Sequence, residues 1–178
     1  VRIIQALPPT IPILATTATA NDRVVVDIQQ QLGNNLQIVR GKLTRDSLEL
    51  QSISIPSTAG RMAWLAEHLP KLRGSGIIYA LTVRDTDRVA DWLRTNNIKA
   101  EAYHSELDNG KRVELEDRLL NNEIKAIVAT TALGMGFDKA DLGFVIHYQR
   151  PGSIVHYYQQ VGRAGEPLFS PIHFLCIR

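Results

Sequence analysis

Several apolar runs in this chain end in side chains able to hold an anion. Ile77–Leu81 runs into Thr82 and Arg84, and Lys99–Tyr103 into His104 and Ser105. Ala126–Ala129 runs into Thr130 and Thr131, and Phe144–Tyr148 into Gln149 and Arg150. Hydroxyl and guanidinium groups are the usual donors to phosphate oxygens, so Thr82 and Arg84 are candidates to hold a phosphodiester backbone. A lone threonine after a strand is most often a helix cap, but donors at consecutive strand ends ask for a shared ligand. His104 suits either a base or phosphate contact or a plain loop role.

The second cluster follows Thr131. Gly134-Met135-Gly136 bares its backbone so that N–H groups can approach an oxyanion closely, and Asp138 comes next. Downstream, Gln159 and Arg163 stand four residues apart on a helical pattern, so they share a face. An arginine there can neutralise charge on a transferring phosphoryl group, or it can merely complement a helix C-terminus. The inventory as a whole suits a polyphosphate and a phosphodiester backbone. His68, His147, His156 and His173 show no metal-ligand spacing, and no metal site is expected.

The elements that must position these groups alternate. Leu48–Ile55 alternates like a strand and is closed by Pro56, and Ser57–Leu72 carries a helical stripe of Met62, Leu65, Ala66 and Leu69. Gly74-Ser75-Gly76 breaks that helix before Ile77–Leu81. Thr82 caps a helix with Thr86, Val89, Ala90 and Leu93 inward; Asp108 caps Asn109–Leu120; Ser153 caps a helix striped by Ile154, Tyr157, Tyr158 and Val161. Ile172–Ile177 supplies a closing strand. Strand and helix in alternation predict an α/β fold: a three-layer, mostly parallel sheet with helices on both faces. Ligands of such sheets bind beyond the carboxyl ends of the strands, where the donors fall.

Residues 1–45 read differently. Ile11–Ala15 and Leu36–Val39 are short strand candidates around a helix with Val24, Ile28 and Leu32 on one stripe, capped by Thr19 or Asn21 and closed by Gly33. So small a piece cannot bury itself, and it is expected to be the tail of a preceding domain plus a connector, with a second domain over 46–178.

Composition narrows little. With 178 residues, 44% hydrophobic and 21% charged, the chain is long enough for one good core. A net charge of +2 neither requires nor forbids a nucleic-acid partner, since basic groups can gather on one face. No apolar run approaches the ~20 residues of a spanning helix, and no signal-peptide layout opens the chain, so no membrane partner and a cytoplasmic location are expected. The single cysteine, Cys176, excludes an internal disulfide.

In order along the chain, Thr17-Ala-Thr-Ala20, Gly76-Ile-Ile-Tyr-Ala-Leu-Thr-Val-Arg84, Ala102-Tyr-His-Ser105, Ala129-Thr-Thr-Ala-Leu-Gly-Met-Gly-Phe-Asp138 and Tyr157-Tyr-Gln-Gln-Val-Gly-Arg-Ala-Gly165 stand out. They resemble motif III, motif IV, the segment after it, motif V and motif VI of the RecQ-type branch of superfamily 2 DNA helicases. A motif VI opening on Gln rather than His-Arg separates the chain from RNA helicases of the DEAD-box type. The resemblance implies a RecA-like lobe, one of two that close on ATP and Mg²⁺ while moving along single-stranded DNA in repair and recombination. It implies catalytic roles for Gln159 and Arg163, and ATP contacts for Gly134, Gly136, Asp138, Gln160 and Gly162. It further implies DNA contacts for Thr82, Arg84, His104, Thr130 and Thr131, with Thr17 and Thr19 coupling the lobes.

Two departures accompany it. Neither a G-x-x-x-x-G-K-[ST] loop nor the acidic box that holds Mg²⁺ occurs, so this is expected to be the second half of an enzyme, partnered by an N-terminal lobe and inactive alone. The family's motif VI continues with a second arginine where Glu166 stands, and a carboxylate there would repel a γ-phosphate. That substitution opens the alternative of a non-catalytic nucleic-acid-binding module derived from such a lobe.

Overall fold

The structure is a computed structural model that describes Pro8 and residues 11–17, 22–33, 36–39, 48–133, 137–161 and 172–177. The chain divides into two compact units, Val1–Arg45 and Asp46–Arg178. In the first, α1 (Asp22–Leu32) is an amphipathic helix with no buried residue. The strands expected at Ile11–Ala15 and Leu36–Val39 do not form. A strand is stable only when its backbone pairs with a neighbour, and apolar composition cannot supply one. Leu14 and Val39 instead lie 87% and 84% exposed.

The second unit holds a six-stranded sheet. Its strands are β1 (Leu48–Ile53), β2 (Gly76–Tyr79), β3 (Ala100–Tyr103), β4 (Ala126–Ala129), β5 (Phe144–His147) and β6 (Ile172–Ile177), in the order β1-β6-β5-β2-β4-β3. Every pairing is parallel, with Ile77 opposite both Ile127 and Val145. The helices are α2 (Thr58–His68), α3 (Val83–Thr95), α4 (Asn109–Leu120) and α5 (Ile154–Val161). The helix expected to run to Leu72 ends at His68 and tightens into a 3₁₀ turn over Leu69–Lys71, because Pro70 brings no N–H to continue it.

Alternation along β2 sends its side chains to opposite faces. Ile78 joins Leu65, Leu69, Val89, Ala90, Leu93, Phe144 and Ile146 under α2 and α3. Ile77 joins Leu115, Leu119, Ile127, Leu142 and Val145 under α4, with Tyr157 of α5 against the same cluster. Strands covered on both faces need apolar residues at every position, which is why Gly76–Tyr79, Ala126–Ala129 and Phe144–His147 are buried throughout. Each fully buried branched side chain here contributes roughly 1.5–3 kcal/mol. Gly76 is required by contact: a Cβ there would fall 2.3 Å from the Phe144 ring. Helices α3 and α4 both stop in Asn-Asn, whose second residue takes a left-handed turn at φ 59° (Asn97) and 57° (Asn122).

Candidate functional site

Because all strands run in parallel, their carboxyl ends form one edge. Chain direction reverses around β2: the path leaves it through α3 toward β3, while β5 continues through α5 toward β6 on the other side. Helix α3 covers one face and α5 the other, so a crevice opens between the ends of β5 and β2. Along the edge the order is Gln149 and Arg150, then Thr82 and Arg84, then Thr130 and Thr131, then His104 and Ser105.

Thr82 caps α3: its Oγ1 accepts the Asp85 N–H at 3.1 Å and donates to Asp85 Oδ2 at 2.9 Å. The hydroxyl is therefore largely occupied, and the exposed Arg84 beside it is the freer cation of this turn. Burial pushes the Asp85 carboxyl up, but hydrogen bonds from Gln149 and Thr82 and the charges of Arg88 and Arg61 outweigh it, and the group lies below the usual aspartate value. Thr130 is half-buried and accepts the Ala132 N–H at 3.2 Å, which bends the chain as it leaves β4; Thr131 is exposed. His104 is buried, with Nε2 at 3.3 Å from Asp87 Oδ1, so its ring meets a carboxylate of α3. Asp138 is exposed.

On α5, Ser153 Oγ accepts the His156 N–H at 3.1 Å, as the capping pattern predicts. Gln159 is exposed, whereas its neighbour Gln160 is buried with Oε1 at 2.8 Å from His147 Nε2. A carbonyl oxygen facing Nε2 requires the proton on that nitrogen. Burial lowers the His147 pKa, partly opposed by the Gln160 bond, and the neutral ring lies between Tyr79 and Tyr157 at 5.6 and 5.2 Å. This pair sets the rotation of α5 so that Gln159 faces out. Gly134, Gly136, Gly162, Arg163 and Thr19 lie outside the described residues; Thr17, in the first unit, is exposed.

Sequence reasoning missed Asp85, His147 and Arg61. Arg61 of α2 donates to the Tyr148 carbonyl at 3.3 Å and stacks over its ring, fastening the end of β5 from below. Only the three-dimensional crossing of α2 and β5 pairs them; the sequence signal is an arginine inside an apolar stripe. Among the described residues no group of His, Cys, Asp or Glu gathers that could hold a metal ion, and no helix is long and apolar enough to cross a membrane.

The family model "helicase conserved C-terminal domain" matches residues 60–167. The chain is 38% identical over 88% of its length to the RecQ-like DNA helicase blm-1 of Caenorhabditis elegans. It is 36% identical over 89% to the ATP-dependent DNA helicase RecQ of Bacillus subtilis. It spans 16% and 28% of those two proteins. Among solved structures, S. cerevisiae Dbp5 bound to RNA and ADP BeF3 superposes with TM-score 0.81 at 19% identity, over 98% of this chain and 47% of that one. The isolated C-terminal domain of the DEAD-box protein Dbp5 gives 0.64 at 20% identity, over 75% and 77%. These likenesses fix the fold as a RecA-like helicase lobe.

Proposed function

This chain belongs to the helicase conserved C-terminal domain family, and from that premise we infer that it is the second motor lobe of an ATP-dependent, RecQ-like DNA helicase. The observation that carries the reading is the one-sided rim, where Arg84, Thr131 and Arg150 are exposed at the carboxyl edge of one parallel sheet and Gln159 is exposed on α5 beside it. In this reading the turn after β2 and the threonines after β4 hold the phosphates of single-stranded DNA. Gln159 and Arg163 of motif VI, with Gly134, Gly136 and Asp138 of motif V, address ATP from one side of a cleft whose other side is the N-terminal lobe. The guanidinium of Arg163, the amide N–H groups of Gln159 and the backbone N–H groups of the glycine loop donate to anionic oxygen, so this set fits the nucleotide's phosphates, while Mg²⁺ is held through the nucleotide and the other lobe. The lobe's own chemistry is electrostatic: Arg163 stabilises charge that develops on the transferring phosphoryl group, and Gln159 orients around it. Opening and closing of the two lobes then moves the DNA across the rim as a hinge motion. Residues 1–45 are, in this reading, the motif III tail of the first lobe, with Thr17 and Thr19 carrying the coupling.

The test is Arg163→Ala in the complete protein that carries this chain. DNA-stimulated ATP hydrolysis is expected to fall by about 10³-fold or more while nucleotide binding is retained. Wild-type turnover in that variant removes the catalytic role. The second reading, a non-catalytic nucleic-acid-binding module, is favoured by Glu166 standing where the family motif has arginine. A complete wild-type protein that binds single-stranded DNA without hydrolysing ATP would establish it instead.

A further inference from the structure

The crevice between β5 and β2 is bridged by a side chain to which none of the motif assignments gives a role. The Leu81 N–H donates to Gln149 Oε1 at 2.8 Å, and Gln149 Nε2 donates to Asp85 Oδ2 at 2.8 Å. The same carboxylate oxygen accepts Thr82 Oγ1 at 2.9 Å, and the other takes Arg88 at 2.9 Å. Leu81, Thr82 and Asp85 form the turn that leaves β2; Gln149 leaves β5 toward α5. The two partners make opposite demands, one a backbone donor and the other a carboxylate acceptor. A primary amide answers both at once and its orientation is fixed by doing so. A glutamate would set a second carboxylate against Asp85, and an asparagine is one methylene short of the span.

We propose that Gln149 is a positioning residue that locks the turn carrying Thr82 and Arg84 to the end of β5, holding that turn in its DNA-facing placement. The inference rests on the DNA-motor reading above. It makes the placement of the DNA-facing turn depend on one amide at the topological switch point. Nothing in it requires Gln149 to touch DNA or ATP.

The test uses the complete protein, titrated separately with a single-stranded oligonucleotide and with ATP. Losing one bond and gaining a like-charge contact, Gln149→Glu is expected to raise the half-saturating DNA concentration about ten-fold. The KM for ATP and the turnover at saturating DNA should stay close to wild type, a split that general loss of folded protein would not produce. The double variant Gln149→Glu with Asp85→Asn reverses donor and acceptor across the same gap, and it is expected to restore most of the lost DNA affinity. Gln149→Met, of equal length without the polar head, is the milder variant and should show a smaller shift in the same direction. DNA-stimulated hydrolysis in wild type with unshifted half-saturation in Gln149→Glu and Gln149→Met overturns this inference alone. So does a double variant no better than the single one. A wild type without DNA stimulation overturns the motor reading and this inference with it.

Discussion

The two edges of the same sheet are built from similar residues and behave differently. At the amino edge, Gly74, Ser75, Asn122, Lys125 and Asp141 line a concavity of about 620 Å³. Ser75, Asn122, Lys125 and Asp141 are spent on one another and on nearby backbone, while Asn97, Lys99 and Glu123 stand exposed at its margin. Ser75 Oγ donates to Asn122 Oδ1 at 2.7 Å, Asn122 Nδ2 to Asp141 Oδ2 at 2.9 Å, and the buried Lys139 to Asp141 and the Leu120 carbonyl. Lys125 donates to the carbonyls of Leu72 and Gly74 at 2.5 and 2.7 Å. At the carboxyl edge, Arg84, Thr131 and Arg150 are exposed, and Gln159 is exposed on α5. A ligand reaching for Ser75, Asn122, Lys125 or Asp141 would have to break bonds worth about as much as those it made, whereas Arg84, Thr131 and Arg150 already face water.

The sharpest way to break this contrast is Asp141→Ala. A hydrogen bond from Lys139, then one from Asn122, holds the Asp141 carboxyl below its ordinary pKa. Without it the Lys139 ammonium, whose side chain is 1% exposed, keeps only the Leu120 carbonyl. Unfolding in urea should show a loss of about 1–3 kcal/mol, with DNA-stimulated turnover of the complete protein unchanged. A variant of native stability but altered turnover would move function to the amino edge.

Arg84→Ala is the converse. An exposed side chain outside any core should cost under about 0.5 kcal/mol of stability. Affinity for single-stranded DNA is expected to fall several-fold, with the slope of log K against log salt reduced by about one. Equal affinity and equal slope in the variant would take Arg84 out of the DNA path.

Much of this contrast was legible in the sequence. Apolar runs at Ile77, Ala126 and Phe144, each followed by a capping or donor residue, fixed both the parallel sheet and the edge on which Thr82, Thr130 and Gln149 fall. Thr82, Asp108 and Ser153 each cap the helix their position predicts. The short apolar runs at Ile11–Ala15 and Leu36–Val39 misled, because pairing is a property of neighbours and not of a segment. Invisible too were contacts that cross the chain: Gln149 to Asp85 spans 64 residues and Arg61 to Tyr148 spans 87. Nor does periodicity distinguish Gln159 from Gln160, adjacent amides of which one faces out and the other in. A buried histidine on the neighbouring strand decides between them.

That histidine gives the smallest predicted effect and refines the contrast, since the His147–Gln160 pair lies beneath the carboxyl rim yet is buried and turned away from any ligand. Burial lowers the His147 pKa below the ordinary 6.5, so the unfolded chain takes up a proton there at a pH where the folded one does not. Stability therefore rises with pH through this group: the contribution is fully present above about 6.5 and is lost as pH falls toward the folded value. Between pH 7.5 and 5.5, wild type should lose up to about 1 kcal/mol more than His147→Gln, each pK unit being worth about 1.4 kcal/mol. That window keeps the aspartates out of the titration. Thermal melts of both proteins across it provide the measurement. Parallel losses would mean that His147 protonates as freely folded as unfolded.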